Sequence, residues 1–271
     1  METVTSRGNA IVEMFRTLAR GRAPGERRIL LDGIHLVEEA RAAGLPILVA
    51  AIASKRLEPR ENGFARLGDE LATAGVRVVR VSESVMSALS PVRTSSGLVA
   101  IAERTPVALE STLDGATPLV VVLADVQDPG NVGAVIRAAD AGGATGLIAS
   151  GGSADPFGWK ALRGAMGSVF RLPVVRHDDL RAVVSAARAR GLRVLATVPH
   201  GGRSLYEADL TKPTALLVGS EGAGLALDLV QLADEAISVP MRPPVESLNV
   251  SVTAALVMYE ALRQREQGAR R

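Results

Sequence analysis

Polar side chains gather in segment 239–265, where a proline-rich loop leads into an apolar helical pattern, VPMRPPVESLNVSVTAALVMYEALRQR. A short β-like run ends at Pro240, and the pattern predicts that Glu246–Asn249 is the first turn of a helix. Unpaired backbone N–H groups and the positive end of the dipole at a helix start favour anionic and polar ligands. The segment therefore indicates a ligand site, although a serine or asparagine that only caps the helix gives the same pattern.

A second candidate segment, 119–149, carries an amide and a guanidinium in a predicted βαβ unit. The predicted elements are a buried strand at Leu119–Leu123, a turn at Asp128–Asn131, a helix at Val132–Ala141 and a strand at Ala144–Ala149. Asn131 stands where the helix begins, and Arg137 follows less than two turns later. On its own, this pair is also typical of a helix cap and a solvated surface arginine.

The third segment, 214–225, reads TALLVGSEGAGL and predicts an apolar strand that ends in a glycine-rich turn. Glycines let backbone N–H and C=O groups approach a ligand closely, and Glu221 adds one carboxylate to this turn. A glycine turn alone is weak evidence for a site, because α/β proteins contain several such turns.

In this order and spacing, the three segments resemble the three motifs of the SpoU (TrmH-like) 2′-O-ribose methyltransferases of the knotted SPOUT class. The matching residues are Asn131, Gly133 and Arg137 in the first motif, Gly219, Ser220, Glu221, Gly222 and Gly224 in the second, and Pro240, Met241, Glu246, Ser247, Leu248, Asn249 and Ser251 in the third. Segment 154–173 is also similar to the family's linking segment. The resemblance implies an α/β trefoil-knot domain with a mostly parallel sheet, which dimerises and transfers methyl from S-adenosylmethionine to a ribose 2′-hydroxyl.

The same resemblance assigns roles to individual residues. It implies that Arg137 is the catalytic residue, either as a base tuned by the substrate phosphate or as a clamp that orients the nucleotide. A polar shell is expected around it from Asn131, Glu221, Ser247 and Asn249, and Glu221 is expected to pair with an arginine because a lone carboxylate in a dry pocket is costly. The cofactor is expected at the carboxyl ends of the strands, around Thr197, Val218, Gly219, Val239, Met241 and Leu248.

The amino-terminal part alternates short apolar runs with helical stretches, which predicts a small α/β sandwich. The predicted strands are 47–52, 76–81 and 98–102, and the predicted helices are 34–43, 64–74 and 83–89. This part also resembles the substrate-binding domain, with a fold like ribosomal protein L30e, that is fused to many SpoU enzymes. We therefore expect an RNA-binding domain at 1–104, a linker at 105–117 and a methyltransferase domain at 118–271.

Composition bears on the cofactors, the partners and the location. The chain has no cysteine, and its three histidines are far apart in sequence, so a metal site is not expected. Apolar runs fall short of the ~20 residues that span a bilayer, and the charged start is unlike a secretory signal, so no membrane contact and a cytoplasmic location are expected. An arginine-rich start suits RNA phosphates, although a solvated helix has the same composition; its arginines are Arg7, Arg16, Arg20, Arg22, Arg27 and Arg28.

Ribosomal RNA is the first expectation for the substrate, because the auxiliary domain is common among ribosomal enzymes, and transfer RNA is the second. The alternative from another class is a non-catalytic RNA-binding or ribosome-assembly factor on the same fold. The homodimer is expected to form through the carboxyl-terminal domain.

Overall fold

The protein is described by a computed structural model over residues 1–23, 25–58 and 62–269. The chain forms two compact units. The first comprises Met1–Pro106 and Phe157–Phe170, and the second comprises Val107–Pro156 and the described residues from Arg171 onward.

The elements of the first part of the chain are β1 (Glu2–Val4), α1 (Ala10–Arg20), β2 (Arg28–Asp32), α2 (Ile34–Ala42), β3 (Ile47–Ala53), α3 (Gly63–Thr73), β4 (Arg77–Val81), α4 (Glu83–Leu89) and β5 (Leu98–Glu103). The later elements are α5 (Leu109–Leu113), β6 (Leu119–Leu123), α6 (Pro129–Ala141), β7 (Gly146–Ala149), α7 (Trp159–Ala165), β8 (Val174–Arg176), α8 (Leu180–Ala189), β9 (Arg193–Thr197), β10 (Arg203–Ser204), β11 (Thr214–Val218), α9 (Leu227–Gln231), β12 (Glu235–Ser238) and α10 (Val250–Ala269).

The first unit is built on a mixed sheet with helices on both faces. Its strand order is β1-β4-β3-β5-β2, with β5 antiparallel to both of its neighbours and the other pairs parallel. Successive residues of β3 face opposite sides, as a pleated strand requires: Ala51 belongs to the core that contains the buried residues of α1 and α4, whereas the side chain of Ile52 touches Gly68 of α3. The predicted α/β sandwich is confirmed, and the three strands and three helices predicted there lie within two residues of the observed bounds, whereas β1, α1 and β2 had no predicted bounds.

Segment Phe157–Phe170, which contains α7, packs with the first unit although the prediction placed it in the methyltransferase domain. The indole Nε1 of Trp159 donates a hydrogen bond to the Ala19 carbonyl (3.2 Å), and the Arg104 guanidinium carbon lies 4.1 Å from the centre of the Phe157 ring. Aromatic burial and a cation–π contact thus attach this segment to the core of the first unit.

The second unit contains a sheet in which every pair of neighbouring strands is parallel, in the order β10-β12-β9-β11-β6-β7-β8. All residues of β6, β7 and β11 are buried. Runs that are buried without alternation are typical of parallel strands covered on both faces. The predicted α/β domain with a mostly parallel sheet is confirmed.

Strand β11 is inserted between β6 and β9, so its two neighbours belong to different parts of the chain. Its partners are in register along its length, with Val218 beside Leu123 and Leu217 beside Ala196. The loops that leave β6, β9, β11 and β12 therefore emerge at the same edge of the sheet, which is where ligands bind in open parallel sheets.

Part of the interval predicted as a linker is a short helix of the second unit, α5. Thr112 on this helix is fully buried, and a Cβ atom added to Gly146 of β7 would lie 2.5 Å from the Thr112 Cβ. The absence of a side chain at Gly146 is what allows α5 to lie directly on β7.

Helices α6 and α10 pack against each other on the second unit, and both begin at other residues than predicted. Helix α6 begins at Pro129, and the Asp128 side chain accepts a hydrogen bond from the Asn131 N–H (2.8 Å). Asp128 is thus the N-cap, and Asn131 lies in the first turn. The helix begins earlier than predicted because Pro129 is well suited to the first helical position. Helix α10 begins at Val250, and therefore the predicted first turn, Glu246–Asn249, is wrong.

Within the described residues, no helix is both long enough and apolar enough to cross a membrane.

Candidate active site

The carboxyl ends of β9, β11 and β12 border a cavity of about 230 Å³ in the second unit. The six residues that the sequence analysis expected around the cofactor all line this cavity: Thr197, Val218, Gly219, Val239, Met241 and Leu248. Most residues of the lining are apolar or glycine, because the wall consists of strand ends, a glycine-rich turn and the loop before α10. Such a wall suits a ligand with an apolar body and hydrogen-bonding groups that the main chain can meet.

The glycine-rich turn is closed by two backbone hydrogen bonds, from the Ser220 N–H to the Gly224 carbonyl (3.2 Å) and from the Gly224 N–H to the Ser220 carbonyl (3.1 Å). A Cβ atom at Gly219 would lie 2.2 Å from the carbonyl carbon of Gly224. Gly219 therefore has to be glycine for the turn to close, whereas a Cβ at Gly222 would meet nothing within 4 Å.

Thr197 lines the cavity, but the hydrogen of its hydroxyl already has a partner, since Oγ1 donates to the Leu217 carbonyl at 3.0 Å. Its remaining capacity toward a ligand is as a hydrogen-bond acceptor. The cavity also includes residues that the sequence analysis did not name: Val198, Pro199, Leu225, Val250 and Thr253. Val198 and Pro199 follow β9 directly and were foreseeable from that position, whereas Thr253 reaches the wall only because α10 starts at Val250.

Four polar residues from three distant parts of the chain form one series of hydrogen bonds beside this turn. Asn131 Nδ2 donates to Glu221 Oε1 at 2.7 Å, and Asn249 Nδ2 donates to Asn131 Oδ1 at 3.1 Å. Asn249 Oδ1 in turn accepts from the Ser251 hydroxyl at 2.6 Å and from the Ser251 N–H at 2.9 Å. We call this series Ser251, Asn249, Asn131 and Glu221 the amide relay.

Asn249 has two functions in this arrangement. Its Oδ1 caps the first turn of α10, as the sequence alternative proposed, and its Nδ2 links α10 to α6. Ser247 precedes Asn249 by two residues; it is exposed and lines the cavity. It therefore links the cavity wall to the relay along the chain.

Arg137 does not join the relay within one chain. It is exposed, and among the described residues it forms no hydrogen bond or ion pair. Six helical residues place it about 120° around α6 and about 9 Å along the axis from Asn131. Among the described residues, the expected ion pair between Glu221 and an arginine is not formed, and the Asn131 amide bonds the carboxylate instead.

The six arginines expected to bind RNA all lie in the first unit. Their guanidinium groups differ in how many of their N–H donors already have a partner in the protein. Toward the described residues, Arg7 and Arg16 each donate only through Nε, to the carbonyls of Ser84 (3.1 Å) and Ala88 (3.4 Å). Arg20 and Arg27 pair with exposed carboxylates, Glu13 at 3.4 Å and Glu103 at 3.2 Å, and such pairs contribute little. Arg22 donates to the carbonyls of Arg28 and Glu26.

Arg28 is the most firmly held of the six arginines. It forms a two-pronged ion pair with the half-buried Glu26, with distances of 2.9 and 2.7 Å. The hydrogen bonds from Arg28 lower the pKa of Glu26 to about 2. Its guanidinium is therefore largely used inside the domain.

Within the described residues, no three histidine or acidic side chains are grouped closely enough to hold a metal ion.

Comparisons with known proteins place this arrangement in a family. The sequence profile of the SpoU rRNA Methylase family matches residues 118–259, and that of the MRM3-like substrate binding domain matches residues 17–100. The chain is 37% identical over 231 residues to the 23S rRNA (guanosine(2553)-2′-O)-methyltransferase of Bacillus subtilis, covering 85% of this chain and 86% of that protein.

Two solved structures match nearly the whole chain. The SpoU methyltransferase AviRb from Streptomyces viridochromogenes, in complex with the cofactor AdoMet, has a TM-score of 0.83 and 30% identity, covering 96% of this chain and 100% of that one. The AdoMet-bound rRNA methyltransferase from Sinorhizobium meliloti has a TM-score of 0.82 and 30% identity, with 97% of each chain covered.

The fold and the cavity thus define an α/β RNA methyltransferase that uses S-adenosylmethionine and carries a substrate-binding domain in front of the catalytic one. Within this class, the chain belongs to the SpoU rRNA methylase family.

Gly219→Ala should weaken binding of S-adenosylmethionine at least about tenfold, because the added Cβ overlaps the main chain of Gly224 and must open the turn that borders the cavity. Calorimetry with the purified variant measures this effect. Gly222→Ala is the matched control, since its Cβ enters open space, and it should lose much less affinity. Equal affinities for the two variants would contradict a role of the closed turn in cofactor binding.

Proposed function

We propose that this chain methylates the 2′-hydroxyl of a ribose in ribosomal RNA, with S-adenosylmethionine as the methyl donor. The observation that carries the proposal is the amide relay at the border of the cavity, at the carboxyl edge of the parallel sheet. The relatives that match over most of the chain support the substrate, since their names describe ribosomal RNA methyltransferases. By the same reasoning, the protein acts in the cytoplasm of the cell, where ribosomal RNA is available.

The residues that line the cavity suit the cofactor. Backbone groups of the closed turn and of the loop before α10 meet its polar parts, and Leu225, Met241 and Leu248 provide apolar surface. S-adenosylmethionine supplies an activated methyl group on a sulfonium. The task of the protein is then to hold the 2′-oxygen in line with that methyl and to assist the loss of its proton.

Asn131, Glu221, Ser247 and Asn249 hold the nucleotide in this proposal, because they lie on the loops and helix starts next to the cavity. Arg137 meets the substrate as a base or as a clamp on its phosphate. A free guanidinium has a pKa above ~12, so a base role requires help from the bound phosphate.

RNA incubated with the protein and with S-adenosylmethionine labelled with tritium on the methyl should yield labelled dinucleotides that resist alkali. A 2′-O-methyl group removes the internal nucleophile that cleaves the adjacent phosphodiester, so the label stays in an uncut dinucleotide. Arg137→Ala should lower the transfer by at least about a hundredfold with little change in cofactor affinity. Label found only on bases would contradict the ribose assignment.

The choice of RNA is tested in the same experiment with separated ribosomal and transfer RNA. Label in transfer RNA alone would favour the second candidate substrate. No label from any cellular RNA, with cofactor binding intact, would favour a non-catalytic RNA-binding or assembly factor.

We further propose that the protein acts as a homodimer through the second unit, which would also include the trefoil knot. An apolar stripe is exposed on α10, at Val252 (46%), Leu256 (37%) and Tyr259 (52%). Helical geometry places these three residues within about 60° of one another. A second copy of the chain is the occupant we infer for this stripe, because Arg137 on the adjacent helix α6 has no partner within the described part of its own chain.

Under this proposal, Arg137 of one copy completes the site that contains Glu221 of the other. Mixing equal amounts of Arg137→Ala and Glu221→Ala protein, after exchange of subunits, should then restore about a quarter of the wild-type activity, because about half of the dimers are mixed and each mixed dimer has one intact site of two. The readout is methyl transfer as a function of the mixing ratio.

Two results would oppose the shared site. A mixture as inactive as its components, with subunit exchange verified, would place both residues in one chain's own site. Leu256→Arg should give a monomer by light scattering, whereas the same change at Leu48 on the first unit should not alter the oligomeric state; a dimer that persists in Leu256→Arg would contradict the stripe as the interface.

We also propose that the arginine-rich start of the first unit binds RNA phosphates, through Arg7, Arg16, Arg20, Arg22, Arg27 and Arg28. Arg7 and Arg16 support this best, because their terminal nitrogens have no partner among the described residues. Both contact the same helix, α4, so they lie on one side of the unit.

Replacing Arg7 and Arg16 by Gln should weaken RNA binding and reduce the slope of log affinity against log salt by about 0.7 to 0.9 for each lost contact. The measurement is a salt series of RNA binding with the full chain. An unchanged slope would leave these arginines as part of a solvated surface.

Arg28→Gln is the control for this experiment. It should destabilise the protein at pH 7, because Glu26 loses its partner, while changing the salt slope less. Since the folded-state pKa of Glu26 is lowered to about 2, the lost stability is present above its unfolded pKa and disappears as the pH falls from about 4.5 to 2. Thermal unfolding of this variant and the wild type across that range measures the effect.

A further inference from the structure

The hydrogen-bond donors around Asn249 fix the direction of the hydrogen bonds in the amide relay. Asn249 Oδ1 faces three donors, the N–H and hydroxyl of Ser251 and the Val252 N–H at 3.4 Å. Only the oxygen of an amide accepts, so the nitrogen of Asn249 has to point the other way.

This orientation is passed on from one residue to the next. Because Asn249 presents Nδ2, Asn131 has to offer its oxygen to Asn249 and its nitrogen to Glu221. Every member is therefore constrained by the one before it, and the last donor reaches one carboxylate oxygen, Oε1. Among the described residues, the other oxygen of Glu221 has no hydrogen-bond partner.

We propose that Ser251 and Asn249 are positioning residues that set the direction of the amide relay and thereby hold the Glu221 carboxylate with one oxygen open toward the substrate. The inference rests on the proposed methyl transfer and deepens it, since it assigns to Ser251 a function that its place on α10 alone would not give. A relay that ran in the opposite direction would present an amide oxygen to Glu221 and repel it.

Asn249→Asp separates the two functions of Asn249. Aspartate is as good a helix cap as asparagine, so α10 should keep its start and the melting temperature should change little. Aspartate has no donor for Asn131, so the relay is broken. We expect kcat to fall by about tenfold or more with cofactor affinity near the wild-type value.

Ser251→Ala tests the hydroxyl. Alanine is the better helix former, so the stability should not fall, but Asn249 Oδ1 loses its shortest hydrogen bond. We expect a loss of kcat of about threefold to tenfold, and Ser251→Thr, which keeps a hydroxyl, should recover most of it. Ser87→Ala, which removes a helix serine hydroxyl in the first unit, is the control and should leave kcat unchanged.

The double variant Asn249→Asp, Glu221→Gln distinguishes a directed relay from a simple scaffold. In it, both hydrogen bonds of Asn131 can form again in the reverse direction, because a turned Asn131 amide donates to Asp at position 249 and accepts from Gln at position 221, while the donors of Ser251 and Val252 keep their direction. We expect its thermal stability to match the wild type while kcat stays at least about tenfold below it.

Recovery of kcat in the double variant, or wild-type kcat in Asn249→Asp or in Ser251→Ala, would overturn the inference. Failure of the proposed function is recognised separately, because then the wild-type chain itself would transfer no methyl to RNA.

Discussion

The Asn131 amide connects the start of α6 to two loops that are far from it in sequence, and the geometry of the candidate site depends on it. Its two ends bond Glu221, 90 positions away, and Asn249, 118 positions away. One loop follows β11, another carries the chain into α10, and Asn131 itself is in the first turn of α6. A small planar group with one donor side and one acceptor side is the element that can join these loops in a fixed order.

The parallel sheet is what brings these loops within reach of one another. Parallel strands all end at the same edge, and β11 enters the middle of the sheet beside β6. The glycine turn after β11 is therefore next to the start of α6, although the two are separated by most of the domain in sequence. The burial of β6, β7 and β11 fixes this edge, because a shift of any one strand would expose apolar residues.

Local sequence predicted the strands and helices with the clearest periodicity, and the resemblance to a family named six residues that line the cavity. Buried β-branched runs such as Leu119–Leu123 identify strands without further information. Helix starts were less accessible: Pro129 suits the first position of α6, so the turn expected at 128–131 became part of the helix. Likewise, one asparagine that caps a helix and bonds a distant amide cannot be distinguished in sequence from one that only caps.

The partners of charged groups were the least predictable feature, since they depend on which side chains the fold brings together. Glu221 meets an amide and not an arginine, and Arg28 is held by Glu26 only two positions away. The net charge of a segment predicts neither of these two pairings. Sequence could also not indicate that Phe157–Phe170 would bury its aromatic residues in the first unit.

That segment changes how the two halves of the protein are joined. Because Phe157–Phe170 returns to the first unit, the backbone passes between the units three times, after Pro106, Pro156 and Phe170. A single linker would let each half unfold alone, whereas here unfolding of the first unit would remove the contacts of Trp159 and Phe157, which lie on the chain between β7 and β8. We therefore expect the substrate-binding and catalytic halves to be coupled in folding through these three chain crossings.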